Sequence, residues 1–214
     1  MNPADYDAWY QTPRGGWIGQ TEYRLLRRML EPRRGESMLD VGCGTGHFTR
    51  RFAADGLALT GVDPATDWLA YAAQHASAGE QYVCGDATCL PFPDKYFDLS
   101  VSVAALCFVP DQRRAIAEML RVTRRRFAIG LLNRHSLLYP QKGRGGGSGA
   151  YRGAHWHTAA EIRALLAGLP VGNARIQAAV FLPGAGWLAQ RVEGMLPANW
   201  PWGSFVAVSG EIIH

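Results

Sequence analysis

No apolar run in this chain approaches the ~18 residues that a bilayer-spanning helix needs. The longest candidate, residues 97–109, is interrupted by Asp98, Ser100 and Ser102, so no membrane span is expected. A secretory leader is not expected either. Asp5 and Asp7 stand where a leader carries basic residues followed by an apolar core. Cysteine is scarce: Cys43, Cys84, Cys89 and Cys107 form no C-x-x-C pair and show no zinc-like spacing with histidine. Reduced, buried thiols in a cytoplasmic protein without a metal site are the expectation. A sharper alternative gathers Cys43, Cys84 and Cys107 near strand ends around a soft metalloid. Lysine is nearly missing, so the net charge of +4 is carried by arginine. The arginines fall in scattered pairs, at 27–28, 33–34, 50–51 and 113–114, with one dense run between Arg121 and Arg126. A nucleic-acid surface gathers cations on one face. This spacing suits solvated helix faces, and nucleic acid is not the expected partner.

What is present fits one globular domain over 1–214. Hydrophobic residues make up 48% and charged residues 19% of 214 positions, enough for a sizeable core. Residues 1–19 are rich in aromatics and turn formers. A helix is predicted over 21–30, with Leu25, Leu26, Met29 and Leu30 on one face and Pro32 and Gly35 ending it. Strands are predicted at 37–41, 57–62, 81–84, 97–106 and 127–132, with helices at 47–54, 66–76 and 111–122. This alternation argues for βαβ units, an α/β fold with a parallel sheet covered on both faces. Residues 141–153 are glycine-rich and form either a plain surface loop or a mobile lid. Thr158-Ala159-Ala160-Glu161 is a capping box opening a helix to about 166. A strand at 171–182, a helix at 186–196 and a strand at 204–212 complete the chain.

The most informative stretch is Leu39-Asp40-Val41-Gly42-Cys43-Gly44-Thr45-Gly46. An apolar strand runs into an acidic residue and a glycine turn, and a helix follows. Such a turn brings bare backbone beside a nucleotide-like ligand. The spacing is G-x-G-x-G, not the G-x-G-x-x-G of a dinucleotide pyrophosphate site. That counts against a nicotinamide-dependent dehydrogenase and suits an uncharged adenosine with an amino-acid tail. About 20 residues on, Asp63 ends a strand where a carboxylate can accept both ribose hydroxyls.

These residues resemble motif I of class I S-adenosylmethionine-dependent methyltransferases, most closely the small-molecule type 11 branch, over roughly Tyr6 to Glu161. The resemblance implies a Rossmann-like doubly wound sheet of seven strands, mostly parallel with an antiparallel last strand. It implies S-adenosylmethionine as cofactor and S-adenosylhomocysteine as product. On it, Gly42, Cys43, Gly44 and Gly46 form the cofactor loop, and Asp40 lies near the cofactor's positive ammonium and sulfonium. Asp63 and Pro64 serve the ribose, Asp86 and Ala87 the adenine, and the Ala104 and Ala105 backbone the methionine part. Asp86 has a simpler alternative role as a turn cap. The aromatic segment within 1–30 resembles a cover, with Tyr6, Tyr10 and Trp17 as roof candidates. Base-methylating relatives carry an Asn- or Asp-Pro-Pro-aromatic motif where this chain has Ala104-Ala105-Leu106-Cys107-Phe108, and no Pro-Cys pair occurs. The acceptor is therefore expected to be a small molecule, with an RNA-directed enzyme or a non-catalytic cofactor-binding protein as alternatives. No general base is named; His135, Tyr139, His155 and His157 lie on the substrate side and suit structural roles. A monomer or homodimer is expected.

Overall fold

The computed structural model describes residues 2–184 and 186–213. In chain order the elements are α1 (Pro3–Trp9), α2 (Pro13–Leu30), β1 (Ser37–Val41), α3 (His47–Ala54), β2 (Ala58–Asp63), α4 (Thr66–Gln74), β3 (Gln81–Cys84) and β4 (Phe97–Val103). They continue with α5 (Gln112–Arg121), β5 (Thr123–Leu132), α6 (Tyr139–Lys142), α7 (Ala159–Leu166), β6 (Val171–Ala179), α8 (Trp187–Met195) and β7 (Phe205–Ile212). The seven strands form one sheet in the order β3-β2-β1-β4-β5-β7-β6. β1 to β5 pair in parallel, and β7 runs antiparallel to both β5 and β6. This is the Rossmann-like doubly wound α/β sheet expected from the sequence. Among the described residues no helix is long and apolar enough to cross a membrane.

Alternation along the strands divides the core in two. Phe127, Ile129 and Leu131 of β5, with Val206 and Val208 of β7, face α5 and α7. Ala128, Phe205 and Ala207 face α2 and α3 on the other side. A Cβ on Gly130 would collide with the Phe205 ring, so this central strand carries glycine where the aromatic crosses it.

Three segments differ from the sequence expectation. The first is the N-terminal region, which is helical rather than turn-rich. Asn2 caps α1 by accepting from the Asp5 N–H at 2.7 Å, and Thr12 caps α2 by accepting from the Gly15 N–H at 3.0 Å. Pro3 and Pro13 open each helix, where a missing N–H costs nothing. The second is the arginine run, whose last part lies on β5 rather than on a helix face. Its charges are matched: Arg121 with Glu118 and Asp94, Arg124 with Asp98, Arg125 with Glu36, and Arg126 with Glu31 and Glu211, all at 2.6–3.2 Å. The third is β4, which stops at Val103 because Ala104 turns to φ 56° and a 3-10 turn follows at Leu106–Phe108. The glycine-rich stretch 141–153 contains two further 3-10 turns and is anchored by Tyr139 and Tyr151, whose rings lie 5.4 and 5.5 Å from that of Trp156.

Candidate functional site

The strand order leaves a crevice at the carboxyl ends of β1 and β4, where successive crossovers depart in opposite directions. The loop 42–46 lies there. The Gly42 and Cys43 amides both donate to the Val62 carbonyl, at 2.7 and 3.1 Å, and pin the loop to β2. Gly42 sits at φ 75°, and a Cβ on it would collide with the Ala105 methyl. Gly44, at φ 54°, donates its N–H to Asp63 Oδ2 at 2.9 Å. The other Asp63 oxygen accepts from the Ala65 N–H at 2.9 Å. Each oxygen keeps a second lone pair, and the residue is half-buried. Exposed Pro64 begins the turn into α4. Gly46 is the N-terminal residue of the α3 turn, beside the Tyr82 hydroxyl.

Asp40 is buried at 2% exposure and accepts from the Thr49 hydroxyl at 2.7 Å. Burial pushes its carboxyl up to about 7, against the Thr49 bond and with help from Asp63. Asp86 is exposed and caps a turn: its Oδ1 accepts from both the N–H and the hydroxyl of Thr88, at 2.7 and 2.8 Å, which lowers its pKa. Ala87 packs against the core beside it. Ala104 and Ala105 are half-buried where β4 breaks, and Ala104 holds a left-handed conformation that a non-glycine residue adopts at a cost.

Helix α1 closes one side of the crevice. Tyr6 and Tyr10 share a hydrogen bond at 3.3 Å. Tyr6 leans on Trp68, with centroids 5.1 Å apart, and Tyr10 stacks on His47 at 3.7 Å. Trp17, like Tyr6, packs against the α2–α3 core, and among the described residues its ring stacks on no other aromatic. A polar clamp adds to this docking. Asp7 accepts from the Thr45 hydroxyl at 3.1 Å and from Arg50 at 2.9 Å, and Arg50 also donates to the Thr45 carbonyl at 2.6 Å.

The histidines beyond β5 divide. His157 is buried, bonds Gln112 at 2.9 Å and has its pKa pushed down to about 4 by burial, so it acts as a neutral joint between α5 and the end of β5. His155 is exposed beside it. Tyr139 packs on Trp156, and His135 lines an apolar groove of about 270 Å³ with Phe181, Trp200 and Trp202. The cysteines do not share a site. Cys43 faces Gly61, the Cys107 sulfur accepts from the Leu132 N–H at 3.3 Å, and Cys84 is exposed. Among the described residues no metal-ligating cluster of three forms, which removes the metalloid alternative.

A family model for a methyltransferase domain matches residues 39–127, the span from β1 to β5 that builds this crevice. This stretch is similar to the methyltransferase domain of class I S-adenosylmethionine-dependent enzymes. An uncharacterised protein of Mycobacterium tuberculosis is 37% identical over 174 residues, covering 77% of this chain and 56% of that one. A malonyl-[acyl-carrier protein] O-methyltransferase of Pectobacterium atrosepticum is 34% identical over 107 residues, covering 50% and 42%. The chain thus spans about half the length of these curated relatives. Among solved structures, a methyltransferase of Thermotoga maritima described as a possible histamine N-methyltransferase superposes with a TM-score of 0.77 at 22% identity, over 97% of this chain and 94% of that one. At that identity the likeness concerns the fold.

The methyl donor of this methyltransferase family is S-adenosylmethionine, and the residues present fit it. The Asp63 carboxylate has lone pairs to spare, Gly44 leaves open backbone opposite the Trp68 ring, and among the described residues buried His47 Nε2 and the Tyr82 hydroxyl beside the loop have no hydrogen-bond partner. Several of these groups escape sequence reasoning. Trp68 looks like one more member of an alanine-rich helix. Asp7 and Arg50 are 43 residues apart. His47 follows the motif directly and is the one that the motif itself could have flagged.

Proposed function

We propose that this methyltransferase moves a methyl group to a small-molecule acceptor by in-line displacement. The cofactor, when bound, supplies an electrophilic methyl carbon on a sulfonium. The remaining tasks belong to the chain: holding the adenosine, excluding water and aligning the acceptor, which can supply most of the rate. In this reading Asp63 takes the ribose hydroxyls. The free oxygen of Asp86 faces the adenine amine with Ala87 beside it, the Gly42–Gly46 backbone lies along the amino-acid tail, and the Ala104–Ala105 backbone contacts its far side. Asp40 supplies negative potential near the cationic end of the cofactor, and residues 1–30 form the cover, with Tyr6 and Tyr10 over the crevice.

The observation that carries the reading is the convergence of the glycine loop, Asp40 and Asp63 at one crevice beneath a docked aromatic helix. The pairing of the arginine run with six acids weakens the RNA-directed alternative, because little unmatched charge is left there for phosphates. The malonyl-carrier relative does not specify the acceptor, since its match covers half of this chain. The test is transfer of label from isotopically labelled S-adenosylmethionine into a small-molecule extract and, separately, into total RNA. Label in the small-molecule fraction supports the reading. Label confined to RNA, or none while the cofactor still binds, overturns it in favour of one or the other alternative.

A further inference from the structure

The chain beyond β5 builds a groove that the cofactor reading leaves unused. It has a volume of about 270 Å³ and eight lining residues. One wall is His135 and Leu137, just past the end of β5, and another is Phe181 and Leu182, just past β6. Trp200 and Trp202 close it from the loop that leads into β7. β5 and β6 end, and β7 begins, on the edge of the sheet that carries the glycine loop and Ala104. Short contacts join the two places. The Ala104 N–H donates to the Gly130 carbonyl at 2.9 Å, and the Cys107 sulfur, three residues further on, accepts from the Leu132 N–H at 3.3 Å. Asn133 follows directly. Its side chain donates to the Pro201 and Gly203 carbonyls, at 2.5 and 2.7 Å, and so holds the loop on either side of Trp202.

The groove is held in shape against strain. β6 ends at Ala179, and the next residue, Val180, is β-branched and sits at φ 61°, a conformation such side chains rarely adopt. Both oxygens of Glu193, on α8, are occupied by this kink: they accept from the Val180 and Phe181 N–H groups at 2.7 and 2.9 Å. The Val180 carbonyl accepts from the Ser204 N–H at 2.9 Å. The kink turns Phe181 and Leu182 out of the strand and into the wall. Gly203 passes so close to Ala179 that a Cβ on it would stand 2.3 Å from the Ala179 carbonyl oxygen. All this bracing surrounds Leu137, Trp200 and Trp202, which stay exposed to water. Exposed apolar surface in a concave, cross-braced form marks a binding site.

The lining sets the class of ligand. Among the described residues no aspartate, glutamate, lysine or arginine lines the groove, so a charged body would lose hydration there without gaining a partner. Trp200 and Trp202, with centroids 5.5 Å apart and planes at 64°, stand with Phe181 to offer ring faces and edges to a flat body. The volume falls just below the ~300–1,000 Å³ of ligand sites, which suits one or two rings. A protein partner needs about 20–30 residues a side, far more than this groove presents. We propose that the groove is the acceptor-side subsite of this methyltransferase and holds the uncharged aromatic body of the molecule to be methylated, its reacting atom directed back toward Ala104 and Ala105. His135 and the two indole N–H groups are the polar atoms that meet a hydroxyl or carbonyl on that body. This rests on the methyltransferase reading above and adds the acceptor's chemical class.

The experiment uses the full chain saturated with S-adenosylhomocysteine and three probes on one naphthalene body: neutral 2-naphthol, anionic 2-naphthoate and cationic 2-naphthylmethylamine. Calorimetric titration at pH 7 is expected to show 2-naphthol binding at least tenfold more tightly than either charged probe. Trp202→Ala, and Leu137→Asp, which sets a charge on the rim, are each expected to weaken 2-naphthol at least fivefold. Their melting and their affinity for S-adenosylhomocysteine are expected to stay at wild-type values. Saturating 2-naphthol is also expected to suppress label transfer from S-adenosylmethionine into the small-molecule extract. Equal binding of the three probes, no binding of 2-naphthol, binding that both substitutions leave unchanged, or undiminished label transfer overturns the proposal and leaves the methyltransferase reading in place. A dimer in sedimentation that Leu137→Asp dissociates assigns the face to a second copy and overturns it as well. If S-adenosylhomocysteine itself fails to bind the wild-type chain, the methyltransferase reading falls and takes the subsite with it.

Discussion

Replacing Asp7 with alanine should release the first helix from the glycine loop. Helix α1 has seven residues, far fewer than an isolated helix needs, so its structure depends on what it touches. The Asp7 carboxylate receives Arg50 at 2.9 Å and the Thr45 hydroxyl at 3.1 Å, and the paired side chains are 12% and 18% exposed. Removing one partner of a fully buried ion pair costs about 3–5 kcal/mol, and the residual solvent contact here brings the loss to about 2–3 kcal/mol. At 1.36 kcal/mol per factor of ten, local opening of α1 becomes roughly 30- to 150-fold more frequent. Hydrogen exchange resolved by peptide should show faster exchange of that size across residues 3–9, with the amides of β1, β4 and β5 far less affected. An Arg50→Met variant should reproduce the effect, and the double variant should add little to either single change. Cofactor affinity should fall in parallel, because Tyr6 and Tyr10 leave with the helix. Unchanged exchange over 3–9 in Asp7→Ala would refute the clamp.

Other outcomes follow from the same geometry. Gly42→Ala places a methyl against Ala105 at a positive φ and should lower stability by about 2–4 kcal/mol. Gly44→Ala, whose Cβ would meet only the Trp68 ring at 3.3 Å, should cost about 1 kcal/mol, so thermal melts of the two variants should separate clearly. Burial on α2 raises the folded pKa of Glu22 to about 8 against an ordinary value of 4.5, so its contribution to stability is fully present below pH 4.5 and is lost as pH rises through about 8. That loss is bounded at about 5 kcal/mol and is smaller in practice because the group touches solvent. Urea midpoints measured from pH 5 to 9 should fall less steeply in Glu22→Gln than in the wild type. Asp40 becomes anionic as pH passes about 7, so affinity for the cationic cofactor should rise through that range. Thr49→Val, which removes the bond holding this pKa down, should move the inflection upward in a pH series of titrations.

The sequence makes the local parts of this protein legible and hides the distant ones. Ser37–Val41 and Gln81–Cys84 are strands at the expected residues because short apolar runs bounded by turn formers have few alternatives. The capping box at Thr158 and Glu161 is present as read, with both of its hydrogen bonds made. Residues 13–19 read as turn-rich because Gly15, Gly16 and Gly19 disfavour a helix by propensity. The fold retains glycine at 15 and 19 because the Trp9 carbonyl and the Tyr10 ring press on the helix at those places, so tertiary packing overrides propensity. The arginines of β5 find acids from 26 positions away, for Arg124 and Asp98, to 95, for Arg126 and Glu31, which no local pattern announces. The site divides the same way. The glycine loop, Asp40 and Asp63 are contiguous with recognisable spacing, whereas Asp7, Trp68 and Tyr82 join it only through the fold.

The most direct measurement is calorimetric titration of the purified protein with S-adenosylmethionine, alongside Asp63→Ala. Micromolar binding by the wild type is expected, as is a loss of at least tenfold in the variant, since two charge-assisted hydrogen bonds at about 1.5–3 kcal/mol each are removed. A wild-type chain that does not bind S-adenosylmethionine, or an Asp63→Ala variant that melts like the wild type and binds equally well, would contradict the assignment of this crevice as the cofactor site.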